Sequence, residues 1–174
     1  MGTQEQPSAD SDPLLAIYDR ALPVVYGYLL PRCGSVAIAE DLTAETFMAA
    51  VAATKRRPAP EVTVAWLIGI GRHKLVDHWR RQAREQSRLA AVEQEEEGVD
   101  DPWDDRLDAA AAHAALAQLS LPQRMALTLR YLDDLPVAEV AEHLGRNLPA
   151  TETLLVRARA ALRRVYEEGE SHDA

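Results

Sequence analysis

Apolar residues recur along this chain at helical spacing. Leu14, Leu15, Ile17 and Tyr18 open a stripe that Leu22, Val25 and Leu29 continue. Pro13, after Ser11 and Asp12, suits the first turn of a helix, and Gly34-Ser35 ends it. A second segment turns Ile38, Leu42, Phe47, Ala50 and Val51 inward. Its other face carries Asp41 and Glu45, four apart and therefore neighbours. The stretch TKRRPAPEV (54–62) joins three consecutive bases to two prolines, so it is predicted to be a stiff, exposed, positive loop. Thr63 is the expected cap of a third, long helix. At ~100° per residue, Val64, Leu67, Ile68, Gly71 and Leu75 face the core of that helix, and Trp66, His73, Asp77, Arg80 and Arg84 lie opposite.

Periodicity then stops. VEQEEEGVDDPWDD (92–105) combines acids with Gly and Pro, the composition of a self-repelling, extended linker. Beyond it, residues 107–118 are Ala-rich, LSLPQR (119–124) reads as a turn, and MALTLRYL as helix. LPVAEVAEHLG places Val137, Val140, Ala141 and Leu144 on one face, and Gly145 closes it. The last helix, 149–165, has Leu155, Ala158, Leu162 and Val165 as its inner stripe. Two short helices around a turn containing Gly form the helix-turn-helix pattern, which many helical hairpins share. The predicted fold is all-α: two small helical domains joined by an acidic linker, the second with a helix-turn-helix. The expected segments are a disordered tail over 1–12, a first domain over 13–88 and a linker over 89–107. A second domain over 108–166 and an acidic tail over 167–174 complete the chain.

The formal charge of −9 changes the picture once it is divided. Residues 13–88 carry +4 and residues 109–165 carry +2, whereas 89–108 carry −8 and the two ends are acidic. Two mildly basic modules are thus separated by an acidic connector, and the global pI says little about either. The connector's acids are either a solvated spacer or a screen that covers the basic modules. The basic, Trp-bearing face of the third helix is either a solvated surface or a binding face for single-stranded nucleic acid, with bases stacking on rings and phosphates meeting Arg. Cys33 is the only cysteine, so no internal disulfide forms, consistent with a reducing cytoplasm. It reads as a small buried hydrophobe. No apolar run long enough to cross a membrane is present, so no membrane insertion is expected. His73, Asp77 and His78 have a poor angular spread for one metal ion and no fourth ligand nearby. No nucleophile–base pair or carboxylate pair stands out, so neither an enzyme nor a cofactor is expected.

Three motifs in order resemble a sigma-70 family factor of bacterial RNA polymerase, of the extracytoplasmic-function (ECF) group. DLTAETF (41–47) is similar to the motif that docks on the polymerase clamp. WLIGIGRHKLVDHWRR (66–81) resembles the helix that melts and reads the −10 element. LSLPQRMALTLRYLDDLPVAEVAEHLG followed by LLVRARAALRR resembles the domain that reads the −35 element. The resemblance implies an alternative sigma factor whose partners are core RNA polymerase, promoter DNA and an anti-sigma factor. It implies polymerase contacts at Asp41, Leu42, Glu45, Thr46 and Phe47, with Phe47 packing inward. It implies −10 contacts at Lys55, Arg56, Arg57, Trp66, Arg72, His73, Lys74, Asp77, Arg80, Arg81 and Arg84. The −35 positions are Arg146, Pro149, Ala150, Glu152, Thr153, Arg157 and Arg164.

The opening of the recognition helix departs from the family pattern. Pro149 stands where Gly is usual, Ala150 where Thr is, Glu152 where Lys is and Leu154 where Arg is; Arg146 replaces an aliphatic residue, and His73 stands where Asn is common. An acid and a leucine in place of two bases imply a weakened or altered grip on −35 phosphates, although open N–H groups at the helix start remain available to a phosphate. Arg157 is expected to face DNA. Arg159, at the margin of the apolar stripe, is expected to lay its stem on apolar surface and reach Asp133, Asp134 or Glu139. The alternative function is a helix-turn-helix regulator that does not engage polymerase, against which DLTAETF argues.

Overall fold

The computed structural model describes residues 12–89 and 109–170. The tail over 1–11, most of the expected linker (90–107) and residues 171–174 lie outside the described residues. All regular structure among the described residues is helical: α1 (Pro13–Cys33), α2 (Val36–Thr54), α3 (Val64–Leu89), α4 (Ala109–Gln118), α5 (Leu121–Leu127), a π-helical turn (Thr128–Leu132), α6 (Val137–Leu144) and α7 (Leu148–Glu170). The chain divides into two compact units, one ending at Leu75 and the other starting at Val76.

In the first unit, local chemistry sets the helix ends. Asp12 caps α1, accepting the Leu14 N–H at 2.9 Å, with Pro13 beside it. Gly34 adopts φ 67° at the other end and donates its N–H to Leu30 O. That is left-handed backbone, where a side chain is strained. Pro23 and Pro31 both stand on the exposed side of α1, where the carbonyls they leave unbonded can meet water. Ser35 caps α2, and Thr63 caps α3 by accepting the Trp66 N–H at 3.1 Å.

The core joins Leu14, Ala21, Val25 and Leu29 of α1 with Ala39, Leu42, Phe47 and Ala50 of α2, and Leu67 and Leu75 of α3 are buried as well. Burial of each Leu, Val or Phe side chain contributes about 1.5–3 kcal/mol. The rings of Tyr18 and Phe47 meet edge to face, centroids 5.0 Å apart. The expected stripes need two corrections. Leu15 is 72% exposed, Val51 40% and Tyr18 39%, because each adjoins a residue turned further inward and consecutive positions on a helix diverge by ~100°. On α3 burial extends beyond the expected stripe to Val76 and Trp79, which fall in the second unit and are both 2% exposed. Cys33 is half-buried, its thiol near the carbonyls of Leu30 and Ser35.

In the second unit Ala115, Leu116, Leu119, Ala126, Leu127, Leu155, Ala158, Ala161 and Leu162 form one cluster, against which Val137, Leu144, Leu154 and Val165 pack. The expected turn over 119–124 is shorter than its sequence suggests. Ser120 N–H donates to Gln123 Oε1 at 3.3 Å, and α5 begins at Leu121 with Pro122 in its first turn, a position that tolerates proline. The last helix is longer than its apolar stripe and runs to Glu170. Arg163 and Glu167, like Arg164 and Glu168, stand four apart, which supports its last turns.

Two glycines of the first unit test this account with opposite signs. A Cβ at Gly69, inside α3, meets nothing within 4 Å, so Gly69→Ala gains helix propensity, about 1 kcal/mol, and the melting temperature rises by a few degrees. Gly34→Ala meets no clash either but forces alanine into left-handed backbone, at about 1–2 kcal/mol, and the melting temperature falls. Thermal unfolding of the full chain by circular dichroism reads both; a rise for Gly34→Ala would contradict the cap.

Candidate functional site

One face of α2 carries two acids and an exposed methionine. Asp41, Glu45 and Met48 recur at i, i+4 and i+7 and so line one stripe. Asp41 is exposed, Glu45 half-buried and Met48 72% exposed. The opposite side of the same motif is interior. Leu42 is 2% exposed, Thr46 0% and Phe47 8%, so of the five positions expected at a polymerase surface only Asp41 and Glu45 reach it. Leu42, Thr46 and Phe47 instead fix the helix that carries the stripe. The Thr46 hydroxyl donates to Leu42 O at 2.7 Å, which satisfies it inside the core. Met48, seven residues from Asp41, shares the stripe of the two acids by spacing alone.

Beside that face, Gly71 of α3 lies next to Thr46 of α2. Gly71 is buried, and a Cβ placed on it would stand 3.5 Å from Thr46 Oγ1. At the edge of this contact Lys74 Nζ pairs with Glu45 Oε2 at 3.5 Å. The residues expected at a −10 strand follow along α3. Trp66, Arg72 and Lys74 are half-buried, and His73, Asp77, Arg81 and Arg84 are exposed. Lys55, Arg56 and Arg57 are exposed in the preceding loop. Within the unit that starts at Val76, Arg80 lies 4.0 Å from Asp77 and donates to the carbonyls of Glu142 and His143 at the end of α6.

The connection from α6 to α7 is three residues long. Gly145 adopts φ 64°, and Arg146 N–H donates to Ala141 O at 3.0 Å. Asn147 caps α7: Ala150 N–H donates to its Oδ1 at 2.9 Å and Thr151 N–H to its carbonyl at 3.1 Å. The expectation of open N–H groups here is therefore corrected at three positions, since Pro149 has no N–H and the next two are taken up by Asn147. Arg146, Leu148, Pro149, Glu152, Thr153 and Arg164 are exposed, Ala150 and Arg157 half-buried. The Thr153 hydroxyl turns back to Pro149 O at 3.0 Å.

Arg159 donates to the Tyr131 hydroxyl at 3.2 Å, a partner the sequence does not suggest. Of the acids expected there, Asp134 lies 3.7 Å from Arg130, which also donates to Leu135 O and lies 5.7 Å from the Tyr131 ring centre. Arg124 Nε is buried with no partner among the described residues, and desolvation by burial pushes this guanidinium below its ordinary pKa. Among the described residues, no cluster of three or more His, Cys, Asp or Glu could hold a metal ion. No helix among them is long and apolar enough to cross a membrane.

A sequence model of sigma-70 region 2 matches residues 17–85, and one of sigma-70 region 4 matches residues 109–162. The ECF RNA polymerase sigma factor BldN of Streptomyces coelicolor is 32% identical over 92% of this chain, and the chain spans 63% of that relative's length. The ECF RNA polymerase sigma factor SigL of Mycobacterium tuberculosis is 30% identical over 92% of this chain and 93% of its own. Among solved structures, the sigma factor RpoE of Bartonella quintana, crystallised with the anti-sigma factor NepR, aligns with a TM-score of 0.53 and 25% identity. That alignment covers 88% of this chain and 94% of the solved one. The chain belongs to the ECF group of the sigma-70 family. Members of this family are non-catalytic and act in promoter recognition with RNA polymerase.

The two arginines of VRAR separate in a stability measurement. Arg159→Ala removes a hydrogen bond to Tyr131 and lowers stability by about 1 kcal/mol. Arg157→Ala changes it by less than about 0.5 kcal/mol. Thermal unfolding of the full chain carrying each substitution checks the order, and a larger loss at Arg157 would mean the helix faces were assigned the wrong way round.

Proposed function

We propose that this chain is an alternative sigma factor that binds core RNA polymerase and directs promoter recognition, strand melting and transcription initiation. The observation that carries this reading is the presence of regions 2 and 4 in one chain, in that order. In this reading residues 13–88 form the domain for polymerase and the −10 element. Residues 108–166 form the −35 domain, with α6, its turn and α7 as the helix-turn-helix. The acidic segment 89–107 joins them and competes with DNA for their basic faces. The protein works in the cytoplasm, where its partners are.

Asp41 and Glu45 meet a basic surface of the polymerase, and the exposed Met48 adds apolar contact beside them. Trp66, Arg72, His73, Lys74, Asp77, Arg80, Arg81 and Arg84 face the −10 strand. Extruding a base from a duplex costs a few kcal/mol; Lys55, Arg56 and Arg57, exposed on a loop with two prolines, offset part of it by neutralising phosphates. At the −35 element Arg146, Pro149, Ala150, Glu152, Thr153, Arg157 and Arg164 lie on the DNA side. With Glu152 exposed, no N–H on Pro149 and those of Ala150 and Thr151 taken up by Asn147, phosphate attraction there falls chiefly to Arg146, Arg157 and Arg164. The likeness to a sigma factor crystallised with an anti-sigma factor supports an anti-sigma protein as a further partner.

Capture of purified core polymerase, followed by run-off transcription on genomic fragments, tests the reading; a chain that binds DNA but never core polymerase would be a helix-turn-helix regulator instead. Asp41→Lys sets a like charge against the polymerase surface and weakens core binding at least tenfold, with helicity unchanged. Arg157→Ala lowers promoter affinity of the holoenzyme and reduces the slope of log K against log salt by about one. Wild-type values for either variant remove that residue from its interface.

A further inference from the structure

The ion pair at the α2–α3 crossing ties together two surfaces that the proposed function treats separately. Glu45 belongs to the stripe assigned to polymerase, and Lys74 belongs to the face assigned to the −10 strand. Lys74 Nζ and Glu45 Oε2 stand 3.5 Å apart, with side chains 33% and 42% exposed. The backbone beneath them does not yield easily. Thr46 is fully buried next to Glu45, and Gly71, one helical turn before Lys74, lies against it. Only the two side chains are free to change partners, and both are long enough to do so.

An ammonium held by a carboxylate is a poorer ligand for phosphate than a bare one, since the acid lowers the local potential and competes for the same donor protons. A carboxylate held by a lysine is in the same way a poorer ligand for a basic protein surface. From this we infer that Glu45 and Lys74 form an exchange pair. Docking on polymerase draws the Glu45 carboxylate away and releases Lys74 to the promoter strand, and strand binding at Lys74 releases Glu45 to the polymerase. Such coupling is reciprocal by thermodynamic necessity. Its size is bounded by the worth of an exposed ion pair, roughly two- to fivefold in affinity. This inference rests on the proposed assignment of the two faces.

The test uses the full chain, free and bound to core polymerase, with a fluorescent single-stranded oligonucleotide of −10 sequence. Glu45→Gln keeps the side-chain shape and removes the charge. Free Glu45→Gln is expected to bind the oligonucleotide two- to fivefold more tightly than wild type at low salt, with a slope of log K against log salt steeper by about 0.7. The gain in strand affinity conferred by core polymerase should shrink by the same factor. In a Lys74→Met background, Glu45→Gln should have no effect on strand binding. Two results overturn the exchange pair: unchanged or weaker strand binding by free Glu45→Gln, or an equal gain with and without Lys74, which would mark a general charge effect. Failure of the wild-type chain to bind core polymerase at all would instead overturn the functional assignment beneath it, and circular dichroism of each variant separates both from misfolding.

Discussion

Thr46 of α2 is fully buried beside Gly71 of α3, and the proposed surfaces of the first unit lie on either side of that contact. A threonine at the centre of a helix crossing would bring an unsatisfied hydroxyl into an apolar core, at a cost of about 1–3 kcal/mol. Here the hydroxyl bonds back to Leu42 O within its own helix. Gly71 of α3 stands beside it, where a Cβ would reach Thr46 Oγ1 at an ordinary contact distance of 3.5 Å. The acidic stripe of α2 and the Lys74 turn of α3 flank this contact, bridged by the Lys74–Glu45 pair.

Much of this was legible from spacing. Caps at Asp12 and Thr63, the left-handed glycines at 34 and 145, and the inner stripes of α6 and α7 follow from short-range rules that act within one turn of helix. Asp41 and Glu45 on an outward face follow from the same arithmetic. What spacing could not deliver was depth. Thr46 sits inside with Gly71 beside it, and no local pattern reports which polar residue meets which glycine. The outward turn of Leu15 and Val51 has the same origin, since a run of adjacent apolar residues contains more candidates than one face can hold.

The second unit departs from its sequence pattern in a different way. Its connections are shorter than clusters of Pro, Asp and Gly suggest, because Ser120, Pro136 and Asn147 act as helix starts and leave little chain for turns. The phenol that accepts from Arg159 was also illegible, because it is the π-helical turn that brings Tyr131 within its reach. Widened turns of this kind re-aim side chains by an angle that a 3.6-residue period does not contain.

The closed hydrogen bonding of the turn between α6 and α7 has a consequence for recognition. Gly145, Arg146, Ala150 and Thr151 all donate their N–H groups inside the turn or to its cap, so the elbow has little left to rearrange when a ligand arrives. A surface prepared in this way loses little backbone entropy on binding, and the ordering cost falls on a few long side chains, chiefly arginines. Discrimination between binding sites then reflects shape and side-chain fit against a rigid relief, and a site that does not match cannot be accommodated by reshaping the elbow.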